Sequence, residues 1–200
     1  MSENEIREPI QKRSIEKKQK ILTAGFDLFC EKGYYKTNTI EIAKRAEVST
    51  GAVYSYFKDK KEIYIEAFES YLDSLSDCLL KELGKISPFD LSYFVDDWIA
   101  AYLKIYASSG RALAQLRMMI IDDEDVNHHF SASENTYFSK IIEILEKNGI
   151  THNEIREKIF ACCVLIDTLR QENSIFSHNE LDFNAFREQI KNAIMALLSN

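Results

Sequence analysis

Proline is nearly absent from this chain, with 2 in 200 residues, and glycine is scarce at 6. Proline interrupts helices and interior glycine weakens them, so their scarcity allows long uninterrupted helices. No apolar run approaches the ~20 residues that cross a bilayer. The longest, at 159–166, is I-F-A-C-C-V-L-I. The opening residues, M-S-E-N-E-I-R-E, contain no apolar signal region, and the chain is expected in the cytoplasm. The four cysteines, Cys30, Cys78, Cys162 and Cys163, lack C-x-x-C or metal-ligand spacing. They read as buried thiols in a reducing compartment. Also missing are a nucleophile–base motif, a phosphate loop and a defined metal site, so neither catalysis nor a cofactor is expected. Asp122, Asp123, Asp125, His128 and His129 are metal-capable side chains but match no metal motif. They are expected in a solvated loop that caps the next helix.

A basic excess is missing too: net charge is −7. The charge is unevenly distributed, however. Residues 1–60 contain 12 Lys and Arg against 9 Asp and Glu, a balance of +3. Residues 61–200 contain 13 against 23, a balance of −10. The positive share falls where a polyanion would sit, and the acidic remainder would be kept off it. Lys12, Arg13, Lys17, Lys18 and Lys20 precede the first core residues, either as a solvated arm or as phosphate contacts.

What is present is helical periodicity. Apolar spacing predicts an all-α chain of about nine helices, at 15–32, 39–46, 50–56, 60–83, 89–107, 111–121, 127–147, 152–172 and 182–198. The stretch T-N-T-I-E-I-A-K-R-A-E-V-S-T-G-A-V-Y-S-Y-F-K-D-K, at 37–60, carries the most information. It reads as two short helices joined by a tight turn and followed by a longer helix, the unit whose second helix enters the DNA major groove. Thr39, or Asn38 with Glu41, caps the first short helix, and Ser49 or Thr50 caps the second. Ile40, Ile42, Ala43 and Ala46 form the first helix's apolar side, with Val48 pointing into the core. Val53 and Phe57, four apart, pack inward. Gly51, at an exposed helix start, lets a phosphate approach the backbone.

These motifs resemble the TetR family of transcriptional regulators. The matching pieces are A-G-F-D-L-F-C-E-K-G-Y at 24–34, Thr39 to Ala43, and 48–63, with Ile63 where Leu is usual. They cover roughly a quarter of the chain. Glu47 stands where a glycine often precedes the valine, which points to a different turn geometry. The resemblance implies a helix-turn-helix domain at 1–59, with a basic N-terminal arm, and a helical ligand-binding and dimerisation domain at 60–200. It assigns Thr39, Ser49, Gly51, Tyr54, Tyr56 and Lys60 to backbone positioning on DNA. Tyr56 is expected to be more exposed than Tyr54. Thr50, Ala52 and Ser55 are the candidate base readers. No Arg, Asn or Gln lies on this helix, so specificity should lean on apolar contacts and DNA shape.

The implied partners are a double-stranded DNA operator, a second copy of the chain, and an apolar or aromatic small-molecule effector. Phe94, Trp98, Tyr102, Met118, Met119, Tyr137 and Phe138 could line the effector pocket or simply fill the core. A buried Asp97, Asp122 or Asp167 would favour a cationic effector. Ile155, Ile159, Cys162, Ile166 and Leu169 form one stripe suited to helix pairing, with Phe186, Ile190, Ile194 and Leu197 forming another. Phe160 and Val164 give the eighth helix a second apolar face. Repression is the family's usual mode; activation and ligand-independent DNA binding are the alternatives.

Overall fold

A computed structural model describes residues 4–174, 178 and 180–199, with side chains from residue 12. Much of the polar linker expected at 173–180 lies outside the described residues. Among these there are nine α-helices and no strand. They are α1 (Asn4–Lys32), α2 (Thr39–Arg45), α3 (Thr50–Tyr56), α4 (Lys60–Leu83), α5 (Leu91–Ile105), α6 (Gly110–Asp122), α7 (Glu124–Lys147), α8 (Ile155–Ser174) and α9 (Phe183–Ser199). Helices α1, α6 and α7 start earlier than the apolar pattern predicts, α6 by a single residue. The polar turns that open α1 carry no hydrophobic period. Of the acidic run at 122–125, Asp123 alone stays outside a helix. It caps α7 by accepting the Val126 N–H at 3.1 Å. The basic cluster from Lys12 to Lys20 is therefore helical, not an arm.

The chain forms two compact units that do not divide at residue 60. One joins the described residues up to 71 with 111–129; the other joins 72–110 with the described residues from 130 onward. In the first unit α1 buries Ile21, Leu22, Ala24, Leu28 and Phe29. Gly25 faces α4 so closely that a Cβ would lie 2.8 Å from Ile63 Cγ2. Tyr64 of α4 meets Phe29 edge-on at 5.0 Å and stacks on Phe68 at 4.4 Å. Such fully buried rings each contribute about 1.5–3 kcal/mol. Gly33 ends α1 with φ +86, a left-handed conformation glycine adopts without strain. Helix α6 belongs to this unit. Its Gln115 carbonyl accepts the Tyr64 hydroxyl at 3.2 Å. Lys61 pairs with Asp123 at 2.9 Å and Asp125 at 2.8 Å. Met119 is buried in this unit, whereas Met118 is 56% exposed and lines no interior.

In the second unit α8 packs on α9, and both pack on α5. Lys191 of α9 reaches Asp96 of α5 at 2.5 Å. This arrangement corrects the expected pairing stripes. Ile159, Cys162, Ile166, Leu169, Ile190 and Ile194 are buried within their own unit. Ile155, Phe186 and Leu197 are half-buried. The three-helix packing takes up both stripes, leaving Phe160 and Val164 about half exposed on the other side of α8. Of the pocket candidates here, Phe94, Trp98 and Phe138 are buried and Tyr102 and Tyr137 are largely covered. Asp97 and Asp122 are exposed, which removes them as buried anionic sites. Burial pushes the thiol of Cys30 up to about 11 and that of Cys162 up to about 12. Both stay protonated and unreactive near neutral pH.

Candidate nucleic-acid interface

Helix α2 is capped by Asn38, whose side chain accepts the Glu41 N–H at 3.0 Å. The Glu41 carboxylate returns the contact by accepting the Asn38 N–H at 3.3 Å. This reciprocal box satisfies two of the end donors that a helix leaves open. Thr39 is thereby released from capping, and its hydroxyl meets the Tyr54 hydroxyl of α3 at 3.0 Å. The buried side of α2 is Ile42, Ala43 and Ala46; Ile40, expected there, is 67% exposed because it lies across this two-turn helix from Ile42. Val48 is half-buried, not in the core.

Glu47 carries the turn at φ +57. This is the left-handed conformation that glycine adopts without strain, here carried by a glutamate. The Val48 N–H reaches back to the Ala43 carbonyl at 3.0 Å and closes the turn. Ser49 caps α3 by accepting the Ala52 N–H at 3.1 Å. Val53 and Phe57 are buried and fix the rotation of α3. That rotation leaves Gly51, Tyr54 and Ser55 exposed, with Thr50 and Ala52 half-buried beside them. A Cβ on Gly51 would meet nothing within 4 Å. The Ser55 hydroxyl donates to the Ala52 carbonyl at 2.7 Å.

Two placements reverse expectation. Tyr54 is 55% exposed, whereas Tyr56 is half-buried with its hydroxyl 3.1 Å from Ser14 Oγ of α1. Lys60 points inward. Its ammonium donates to the carbonyls of Tyr34 at 2.8 Å and Thr37 at 2.9 Å, and lies 4.1 Å from the centre of the Tyr34 ring. Burial lowers its pKa. It closes the segment between α1 and α2 because the carbonyls there need a donor.

The same holds for other cations. Arg45 grips the Glu31 carboxylate with two bonds, at 2.5 and 2.9 Å. The Arg45 hydrogen bond holds the Glu31 carboxyl below its usual range. Lys32 pairs with Glu41 at 2.5 Å. Lys36, Lys44 and Lys58 remain exposed, and their side chains make no ion pair among the described residues. They were not singled out in the sequence; the +3 balance of residues 1–60 was the only signal for them. The metal-capable side chains at 122–129 have separate partners. The Tyr35 hydroxyl meets Asp122 at 3.3 Å, Lys61 holds Asp123 and Asp125, and His129 pairs with Glu69 at 3.3 Å.

This arrangement of α1 to α4 recurs in known proteins. Residues 21–67 match the family model described as bacterial regulatory proteins, tetR family. The chain is 31% identical over 118 residues to the transcriptional regulator HbdR of Aromatoleum, covering 54% of this chain and 52% of HbdR. The match thus spans about half the length of that relative. The negative regulator IcaR of the Staphylococcus epidermidis biofilm operon is 25% identical over 154 residues, covering 74% of this chain and 78% of IcaR. Among solved structures, Salmonella enterica GusR aligns with TM-score 0.72 at 15% identity, covering 92% of this chain and 96% of GusR. The fatty acid degradation regulator FadR of Bacillus halodurans aligns at 0.69 and 18%, covering 90% and 94%. Those two likenesses establish the all-α fold: an N-terminal helix-turn-helix followed by further helices. The capped two-helix unit lies within residues 21–67, so this segment is similar to the helix-turn-helix segment of the tetR family of bacterial regulatory proteins.

Proposed function

We propose that this chain is a DNA-binding transcriptional repressor, acting as a homodimer on an inverted-repeat operator and released when a small molecule binds its helical C-terminal part. The observation that carries the reading is the exposed face formed where α2 meets α3. The joined hydroxyls of Thr39 and Tyr54 lie beside Gly51, whose open backbone offers N–H groups to a phosphate. Lys36 and Lys58, flanking the two short helices, add unpaired positive charge for the backbone. Lys60 and Tyr56 support the face from beneath: Lys60 holds the segment between α1 and α2, and Tyr56 anchors α3 to α1. Thr50, Ala52 and Ser55 face the bases. With its proton committed to Ala52, Ser55 offers lone pairs and suits the amino group of adenine or cytosine.

Residues 1–59 form the reading head in this account, with 60–200 serving effector binding and dimerisation. IcaR, described as a negative regulator, supports repression over activation. No helix among the described residues is long and apolar enough to cross a membrane, which accords with action on cytoplasmic DNA. The exposed pair Phe160 and Val164 is the proposed contact with the second copy. The effector region centres on Trp98, Tyr102 and Tyr137, between α5, α7 and α8. The effector acts only through a difference in its affinity for the DNA-binding and released states.

Sequencing genomic fragments retained by the purified protein tests the reading. Wild type should enrich a small set of upstream regions. Tyr54→Ala should lose that enrichment. Arg45→Ala should keep it, because its guanidinium is already committed to Glu31. Equal retention of all fragments, or equal loss in both variants, would contradict the proposed face.

A further inference from the structure

The effector reading leaves open what chemistry the ligand carries, and the interior of the second unit narrows it. Here α5, α7 and α8 enclose polar groups in an otherwise apolar interior. Asp167 of α8 accepts three hydrogen bonds: from the Tyr102 hydroxyl at 3.1 Å, Arg170 Nε at 2.7 Å and Gln171 Nε2 at 2.7 Å. The Arg170 side chain is 4% exposed. The carboxylate that was a candidate for a cationic ligand is therefore already neutralised by a buried guanidinium. The Tyr102 ring stacks on Tyr106 at 4.2 Å and 11°, so this network is held rigid.

Trp98 and Tyr137 differ. The Trp98 indole nitrogen and the Tyr137 hydroxyl oxygen are sealed from solvent, and neither has a hydrogen-bond partner. Burial raises the Tyr137 hydroxyl well above its usual range and keeps it protonated, and the adjacent Trp98 indole N–H offsets this only in part; the two groups do not form a hydrogen bond. A buried donor without an acceptor has lost its water and gained nothing in return. Indole can only donate, and a phenol donates readily. Two donors that adjoin each other and lack acceptors suit an oxygen that accepts from both.

Resting on the effector reading above, we infer that Trp98 and Tyr137 recognise a neutral, largely apolar small molecule through a carbonyl-type acceptor. An anion would have to leave water for this interior with no cation free to meet it, since the Arg170 guanidinium is committed to Asp167. A cation would find that carboxylate taken by Arg170. Trp98 is fully buried, so the ligand binds a state in which the interior has opened. A state altered in this way can differ in its affinity for DNA.

Trp98 is the single tryptophan of the chain, so its emission reports on this site directly. Four probes of one shape separate the classes: cyclohexanone, cyclohexane, cyclohexylammonium and cyclohexanecarboxylate. Without DNA present, cyclohexanone should shift the emission and raise the melting temperature, and the other three should do so less. Tyr137→Phe should weaken cyclohexanone about tenfold and also raise the melting temperature of the free protein, because an unpartnered hydroxyl is removed. Trp98→Phe, followed by melting, should lose the preference for the ketone over the hydrocarbon. The inference is overturned if no probe moves the emission, if cyclohexane or the cation matches the ketone, or if Tyr137→Phe leaves ketone affinity unchanged. None of those results would bear on genomic-fragment retention, which tests the repressor reading separately.

Discussion

Gly51 stands in the first turn of α3, where added bulk would touch nothing in the protein. A glycine in a helix costs about 0.5–1 kcal/mol relative to alanine. Gly51→Ala should therefore raise thermal stability by that amount while weakening operator binding. A variant that gains stability and keeps its affinity would show that no phosphate approaches there. Glu47 stores strain of the opposite kind, since a non-glycine residue at φ +57 costs roughly 1 kcal/mol. Its side chain is exposed, so Glu47→Gly loses no packing. Strain relief outweighs glycine's added unfolded-state freedom only slightly, giving a gain of up to about 1 kcal/mol. Glu47→Val should lose more than that, because a branched side chain tolerates this conformation poorly. Denaturant midpoints of the two variants should move in opposite directions.

At the scale of elements, α8 holds the buried pair Asp167–Arg170. Burial opposes the charge on Asp167, but its bonds to Arg170, Gln171 and Tyr102 outweigh that and hold its carboxyl below the usual range. A depressed carboxyl stabilises the fold above its unfolded value, and that share is lost as pH falls through the folded one. Stability should therefore decline on acidification below about pH 4, and less steeply in Asp167→Asn. That variant removes the negative charge facing a buried guanidinium and should cost about 3–5 kcal/mol at neutral pH, whereas Asp167→Leu with Arg170→Met should recover much of the loss. Equal loss in the single and double variants would contradict this account of the pair.

Helix α8 also marks where sequence reasoning stops. Its apolar spacing was legible, as were the bounds of α2, α3 and α4, because caps and periodicity are local signals. Which apolar face turns inward is not local. Ile159, Cys162 and Ile166 face α5 and α9, and Phe160 and Val164 do not; both sets have helical spacing. Likewise Lys60 at the start of α4 looked like a surface cation until the carbonyls of Tyr34 and Thr37, more than twenty residues earlier, folded onto it. Tyr54 and Tyr56 exchanged roles because α1, through Ser14, covers one and not the other.

For the whole molecule the account requires a pair of chains. Helix-turn-helix dimers place their recognition helices about 34–36 Å apart, one turn of DNA, so a two-fold protein selects a two-fold operator. Phe160→Glu puts a charge into the proposed contact between copies and also gives up the edge-on contact of Phe160 with Phe138 at 5.9 Å, so Val164→Glu, on the same exposed side of α8, is the companion variant. Each should give a monomer by sedimentation and reduce operator affinity, because each half-site must then be held alone. The excess of +3 in residues 1–60 should make binding fall with added salt.

The most direct measurement is selection from a random double-stranded DNA pool, followed by sequencing of what the protein retains. The account predicts an inverted repeat whose half-sites lie one helical turn or a multiple of it apart, lost with Tyr54→Ala and with Phe160→Glu. Recovery of an unrelated, asymmetric set of sequences, or of none, would contradict it.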